Sequence, residues 1–308
     1  MASLNQPSIL VLGGTGFIGK HIIRQLVKKK WIVVCASLSL PKKKNRLKNV
    51  TYYKVNLKSF NSVKKKLNKP FQYIINLAGY IDHSNLRSDY NKIMHEHFTA
   101  VKNIIKVVPR KNLKKFVQIG SSVEYGLAKA PQKESNKLKP ITTYALAKAK
   151  TSNYLKKIYK KEKYPFVIAR LFLTYGPGQK KDRFIPQIIS GCLKNKKFPT
   201  TSGNQIRDFC YIDDTVSAIL LLLTNKKIVG TTFNVASGVP VKIKTIINLI
   251  NKTIGKGTPE FNKRKLHPGE NEILYADIKK IKKKLNWRPK IGLLNGLKKT
   301  ITSFKKNG

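Results

Sequence analysis

Acidic residues are scarce in this 308-residue chain: 14 Asp and Glu stand against 63 Lys and Arg, for a formal net charge of +49. No carboxylate side chain occurs before Asp82. Arginine is scarce too, with 9 against 54 lysines. Recognition of phosphates and guanines favours Arg forks, and the lysines lie along the whole chain rather than in one tail or block. The charge is therefore read as a lysine-rich surface, not a nucleic-acid signature. Three cysteines (Cys35, Cys192 and Cys210) stand far apart with no CxxC pair, which excludes a disulfide scaffold or a zinc ribbon and fits a reducing cytosol. His95 and His97, at i,i+2, fall on different sides of a helix, a poor start for a metal site, and no metal is expected. The longest apolar run, Ala218 to Leu223, is far too short to cross a bilayer. The N-terminal run Ile9 to Leu12 passes straight into glycines, unlike a signal peptide. The expectation is a soluble cytoplasmic protein whose 41% hydrophobic content suffices for a core.

The first half alternates two kinds of segment. Ser8 to Leu12, Trp31 to Ala36, Thr51 to Val55, Tyr73 to Leu77, Phe116 to Ile119 and Phe166 to Leu171 are dense in Val, Ile, Leu or aromatics with little alternation, as in strands buried on both faces. Phe17 to Lys29, Ser59 to Leu67, Tyr90 to Val108 and Tyr144 to Lys161 have helical spacing. The alternation predicts an α/β fold with a doubly wound parallel (Rossmann) sheet. Later helices are expected over Phe184 to Leu193, Asp213 to Leu223, around Ile243 to Ile254, and over Ile278 to Leu285 and Leu293 to Phe304. We expect a dinucleotide-binding domain over 1–172, with a returning segment near 207–235. A smaller substrate lobe is expected over 173–206 and 236–308.

Three motifs carry chemistry. Ile9-Leu-Val-Leu-Gly-Gly-Thr-Gly-Phe-Ile-Gly19 sets Gly13, Gly16 and Gly19 three apart, between a predicted strand and helix. There glycines permit a tight turn, close approach to a pyrophosphate and close helix packing, with the helix N-terminus facing the phosphates. Tyr144-Ala-Leu-Ala-Lys148 stacks a phenol and an ammonium on one helix face, and the ammonium favours the phenolate. Gly120-Ser-Ser-Val-Glu-Tyr-Gly126 follows the fifth strand and places small hydroxyls at the carboxyl end of the sheet, where such folds bind ligands.

In this order and spacing the motifs resemble the extended short-chain dehydrogenase/reductase family, the group called NAD-dependent epimerases/dehydratases. The resemblance spans essentially the whole chain. It continues through Asn76-Leu-Ala-Gly79, Ala169 to Gly178 (ARLFLTYGPG), Arg207-Asp-Phe-Cys-Tyr-Ile-Asp-Asp214, Phe233 to Gly238 and Leu274-Tyr-Ala-Asp277. Most members act on nucleotide-activated hexoses. The resemblance implies that Ser121 hydrogen-bonds the reacting sugar oxygen, that Tyr144 is the acid/base, and that Lys148 holds the nicotinamide ribose and depresses the tyrosine pKa. It places Gly13, Thr15, Gly16, Phe17, Ile18 and Gly19 at the pyrophosphate turn. Ser37, Asn56, Leu57, Asn76, Ala78 and Gly79 line the cofactor cleft. Ser122 and Arg207 face the nucleotide-sugar substrate, the arginine at the diphosphate. It also implies a homodimer formed through the helices Tyr90 to Val108 and Tyr144 to Lys161.

Departures narrow the reaction. Sugar 4,6-dehydratases of this family carry Asp-Glu directly after the catalytic Thr, where this chain has Ser122 and Val123; valine exchanges no proton, so dehydration is disfavoured. Glu124 comes one position too late and is expected to face outward. NAD-specific members end the second strand with an acid; here Ser37 stands there, followed by Lys42, Lys43, Lys44 and Arg46, which fits the 2′-phosphate of NADP, with NAD as the alternative. Together these favour an NADPH-dependent 4-keto-6-deoxyhexose reductase acting at sugar C4, with an NAD-dependent nucleotide-sugar 4-epimerase as the alternative. Many relatives have Asn at Leu173 and an arginine near Gly269, where this chain offers Arg264 and His267, so the base and sugar stay open. A non-catalytic RNA-binding member of the fold is opposed by the Tyr144/Lys148 pair and by the lack of an aromatic and basic platform.

Overall fold

The computed structural model describes residues 6–79, 90–265 and 271–307, so His267, Gly269 and Asp82 lie outside the described residues. The chain divides into two compact units. The first contains Met1–Gly126, Leu138–Arg170 and Ala218–Phe233. Its strands are β1 (Ser8–Leu12), β2 (Ile32–Ser37), β3 (Val50–Lys54), β4 (Tyr73–Asn76), β5 (Lys115–Ser121) and β6 (Phe166–Leu171). With the later β10 (Thr231–Val235) they form a seven-stranded sheet in the order β10-β6-β5-β4-β1-β2-β3. β1 pairs in parallel with β2 and β4, β2 with β3, and β4 with β5. Ile9 to Leu12 are fully buried, as a strand covered on both faces requires.

The order reverses between β1 and β4, so the chain leaves these two neighbours in opposite directions and a crevice opens at their carboxyl ends. Backbone bonds fix that end: Leu77 N donates to Leu12 O at 2.9 Å and Gly13 N to Ala36 O at 2.8 Å. The helices are α1 (Phe17–Lys28), α2 (Phe60–Leu67), α3 (Tyr90–Met94), α4 (Ala100–Val107) and α5 (Thr143–Glu162). Side chains of α2, α4 and α5, among them Val63, Ile104 and Leu155, join Leu10, Phe116 and Phe166 in one buried cluster. The single helix expected over Tyr90 to Val108 is instead interrupted by a π-helical turn at His95–Thr99. His95 is exposed and His97 buried, so the two imidazoles do face apart.

The second unit contains Leu127–Lys137, Leu171–Ser217 and Asn234–Gly308. Around β9 (Ile206–Tyr211) lie β7 (Leu173–Tyr175) and β13 (Ile273–Leu274), both parallel to it, and the antiparallel β11 (Pro240–Lys242). β8 (Lys197–Pro199) pairs with β12 (Thr258–Glu260). α6 (Phe184–Leu193), α7 (Ile212–Thr224), α8 (Ile243–Ile254), α9 (Lys279–Leu285) and α10 (Leu293–Asn307) complete the helices named here, α7 continuing into the first unit.

Four stretches depart from the expected division, because 127–137, 171–172, 207–217 and 234–235 join the second unit, not the first. The cause at 127–137 is Gln132, fully buried: its N–H donates to Tyr275 O at 2.9 Å, its Oε1 accepts from Tyr275 N at 3.0 Å, and its carbonyl accepts from Asn234 Nδ2 at 2.9 Å.

Candidate active site

The turn after β1 is shaped by what it cannot hold. Gly13 has φ +73°, and a Cβ there would lie 2.8 Å from Ala78 N, so the backbone after β1 and that after β4 touch. Gly16 is the N-cap of α1 and brings no capping side chain, and no acid stands in the first turn. Thr15 belongs to the turn; Phe17, Ile18 and Gly19 form the first turn of α1. This start of a helix favours an anion through its N–H groups and dipole, and the cradle that a Cβ would fill suits a dinucleotide pyrophosphate. On the β4 side, Asn76 Oδ1 accepts from Ala78 N at 3.1 Å, and Gly79 packs on the His97 ring.

On the β2 side, Ser37 ends the strand, buried, with its hydroxyl 3.9 Å from Cys35 Sγ and its carbonyl accepting from Val55 N. Lys42, Lys43, Lys44 and Arg46 are all exposed, and Arg46 donates through Nε to Pro41 O and lies 5.9 Å from the Tyr52 ring centre. Asn56 and Leu57 follow β3; Asn56 Oδ1 accepts from Lys58 N, and Leu57 O accepts from Asn103 Nδ2 at 2.9 Å. These cofactor candidates all belong to the first unit.

Ser121, Tyr144 and Lys148 belong to the same unit. α5 is capped by Thr142, whose side chain accepts from Ala145 N, and both Tyr144 and Lys148 are buried. Lys148 Nζ lies 5.9 Å from the Tyr144 ring centre and donates to Ile119 O at 3.0 Å. Burial pushes its pKa down to about 8, against the opposing pull of Glu124. Ser121 and the turn after it, Ser122–Tyr125, make a capping box: Ser121 Oγ accepts from Val123 N, and Ser121 N donates to Glu124 Oε1 at 2.8 Å. Ser122 is buried within that turn.

Glu124 corrects the expectation that it faces outward. It is fully buried, and its Oε2 accepts from Ser152 Oγ at 2.7 Å and from Arg170 NH2 at 2.9 Å. In a nearly acid-free chain, desolvating a carboxylate requires such a cation. Two further side chains join the site, neither of which was expected there. His97 meets the Tyr144 ring edge-on, centres 5.0 Å apart. Gln118 accepts from Asn76 Nδ2 at 2.9 Å and donates through Nε2 to Ile119 O, the same carbonyl that Lys148 uses. A glutamine inside the apolar β5 run was the visible signal for the second; for His97 only the buried side of its helix could have served.

Arg207 and Leu173 belong to the second unit. Arg207 is buried on β9, with NH1 donating to Ile206 O and Glu272 O at 2.9 and 3.1 Å. Leu173 is exposed on β7. Arg264 follows β12, its N–H donating to Thr200 O at 3.0 Å. Among the described residues no group of three or more His, Cys, Asp or Glu could hold a metal ion, and no helix is long and apolar enough to cross a membrane.

The model of the NAD dependent epimerase/dehydratase family matches residues 9–236. A Bacillus subtilis protein named uncharacterized UDP-glucose epimerase YtcB is 30% identical, covering 95% of this chain and 96% of its own. The Mus musculus dTDP-D-glucose 4,6-dehydratase is 26% identical over 97% of this chain and 89% of its own. Among solved structures, the Thermus thermophilus UDP-glucose 4-epimerase in complex with NAD superposes with a TM-score of 0.86 at 22% identity, covering 96% of this chain and 98% of that one.

Proposed function

The chain belongs to the NAD-dependent epimerase/dehydratase family, and from that premise we propose that it is a nucleotide-sugar 4-epimerase using a nicotinamide dinucleotide. The observation that carries this reading is the Ser121, Tyr144 and Lys148 array without a free acid beside it. The two positions after Ser121 are Ser122 and Val123, and both oxygens of Glu124 are engaged by Ser121 N, Ser152 and Arg170. Elimination of water across a sugar C5–C6 bond needs a side chain that exchanges protons there; this site offers none at those positions. The relative named as a UDP-glucose epimerase supports the same choice, and the dehydratase relative is answered by the missing acid pair.

A nicotinamide dinucleotide, when bound, supplies reversible hydride acceptance. Gly13, Gly16 and the first turn of α1 would hold its pyrophosphate, and Asn76, Ala78 and Gly79 would line the cleft. Tyr144 Oη takes the proton of the C4 hydroxyl and later returns it to the same oxygen. With a pKa of about 8, Lys148 is mostly an ammonium at neutral pH and favours the phenolate. Ser121 Oγ hydrogen-bonds the reacting oxygen and holds it in line. Arg207 is assigned to the diphosphate, and a second copy of the chain packing on the helical segments 90–108 and 144–161 completes a homodimer, which mass measurement at micromolar concentration tests.

A second reading is favoured by one observation. The second strand ends in Ser37, with no carboxylate to repel a 2′-phosphate and with Lys42 to Lys44 exposed after it. That pocket suits NADP and with it an NADPH-dependent reduction of a nucleotide 4-keto-6-deoxyhexose at C4. One pair of incubations decides. C4 interconversion of UDP-glucose without net cofactor consumption is the expected result. Oxidation of NADPH by a 4-keto-6-deoxyhexose substrate, with no interconversion, establishes the reductase instead. Release of a 4-keto-6-deoxy product from the unmodified sugar would overturn both.

A further inference from the structure

We propose that Glu124 is a positioning residue that locks Ser121 in register with the Tyr144/Lys148 face of α5. This rests on the functional reading above for its catalytic consequence, and on geometry for the lock itself. Tyr144, Lys148 and Ser152 follow one another at i, i+4 and i+8, so they share one face of α5. Glu124 Oε2 takes the Ser152 hydroxyl at 2.7 Å, while Oε1 takes the Ser121 N–H at 2.8 Å. One carboxylate thus bridges the helix that bears the tyrosine and lysine to the residue that bears the serine. Arg170 on β6 supplies the third anchor at 2.9 Å. From the other side Lys148 holds Ile119 O, two residues before Ser121. The last turn of β5 is therefore gripped twice from α5, once directly and once through Glu124.

Gly120 makes room for this arrangement. A Cβ there would come 2.6 Å from Glu124 Oε1 and 2.9 Å from Ile168 Cγ2, so the carboxylate sits across the bare backbone of residue 120. Every polar contact of Glu124 described here is internal to the first unit, and none leaves an oxygen for substrate. Its charge also acts on Lys148: Glu124 is the group that opposes the loss of the buried ammonium. The charged and titratable groups around Lys148 are Tyr144 on its own helix, Glu124 on the turn after β5, and His97 against Tyr144, with Arg170 and Lys156 around Glu124.

The test uses the full chain. Amide hydrogen exchange on the cofactor-free protein reads the lock directly: Glu124→Leu, which offers no acceptor, should deprotect Ser121 while the rest of β5 keeps its protection. In turnover the same variant should lose about tenfold to a hundredfold in kcat with KM little changed, as expected when a reacting group drifts from its geometry. Its alkaline limb should move to lower pH, because Lys148 loses the charge that sustains it. Ser152→Ala, which keeps the carboxylate and its ion pair, should reproduce a smaller kcat loss without moving that limb; it serves as the readout if Glu124→Leu does not fold. Lower stability with Ser121 exchange, kcat and pH profile unchanged in the folded protein would mean that the ion pair is only structural, and the proposal fails. If the wild-type protein turns over no nucleotide sugar, the functional reading fails, while Ser121 exchange still decides whether the lock exists.

Discussion

Lys148 faces two opposed demands. In the proposed role as partner of Tyr144 it must be charged, yet it is buried, and burial pulls its pKa down to about 8 from an ordinary 10.5. The depressed value sets the sign of two effects. Below pH 8 the folded protein bears the cost of a buried ammonium, and the cost is relieved as pH rises from about 8 towards 10.5. Lys148→Met should therefore raise the melting temperature at pH 7 and lose that advantage near pH 10.5, which thermal melts across the range would show. The same deprotonation withdraws support from the phenolate, so turnover of the wild-type protein should fall as pH rises through about 8. Tyr144→Phe should reduce turnover by about 10²–10⁴-fold, the usual contribution of a positioned acid/base, with dinucleotide binding by fluorescence titration left intact. Both effects belong to single side chains, and neither needs a change of fold.

At the scale of elements, the turn from β1 to α1 is the least tolerant segment. Gly13→Ala would combine a left-handed φ with a Cβ 2.8 Å from Ala78 N. A loss of about 1–3 kcal/mol in stability follows from the strain alone, together with loss of dinucleotide binding, measurable by denaturation and titration. The buried Glu124–Arg170 pair gives a sharper figure: Arg170→Met should cost about 3–5 kcal/mol by leaving the carboxylate unpaired, and the double change Glu124→Leu, Arg170→Met should recover part of it. These elements were also the legible ones. β1, β2 and β4 to β6 announce themselves as continuous apolar runs, and the glycine triplet falls where strand gives way to helix. Gly13, Tyr144 and Lys148 were visible because their spacing has a mechanical meaning. β8, β11 and β12, three residues each with Pro and Lys among them, are too short to show a period. The π turn at His95–Thr99 has no apolar signature either, so the inward turn of His97 onto Tyr144 was not readable. Glu124 was misread because its partner, Arg170, stands 46 residues away and on another strand.

For the whole molecule, the net charge of +49 frames where the few carboxylates went. Several serve as acceptors of backbone N–H groups instead of partners for lysine, Asp208 and Asp214 buried and Glu134 half-buried. Asp208 takes Ser237 N, Gly238 N and Ala276 N; Asp214 takes Lys290 N and Ile291 N; Glu134 takes Asn234 N at 2.8 Å. The ion pairs Lys58–Glu96 and Arg110–Glu162 are partly exposed and contribute little. With so few acids left on the surface, lysine repels lysine. Raising the salt from low to several hundred millimolar should raise the melting temperature through screening. The same screening should lower kcat/KM for an anionic nucleotide sugar, because the basic surface draws it in. Salt thus pulls stability and encounter rate in opposite directions. The central claim, that Tyr144 moves the proton of a sugar C4 hydroxyl, is tested most directly by incubating purified protein with UDP-glucose and following the C4 configuration by proton NMR. Interconversion that uses no net cofactor and disappears in Tyr144→Phe is the expected result; full activity in that variant would contradict this role for Tyr144.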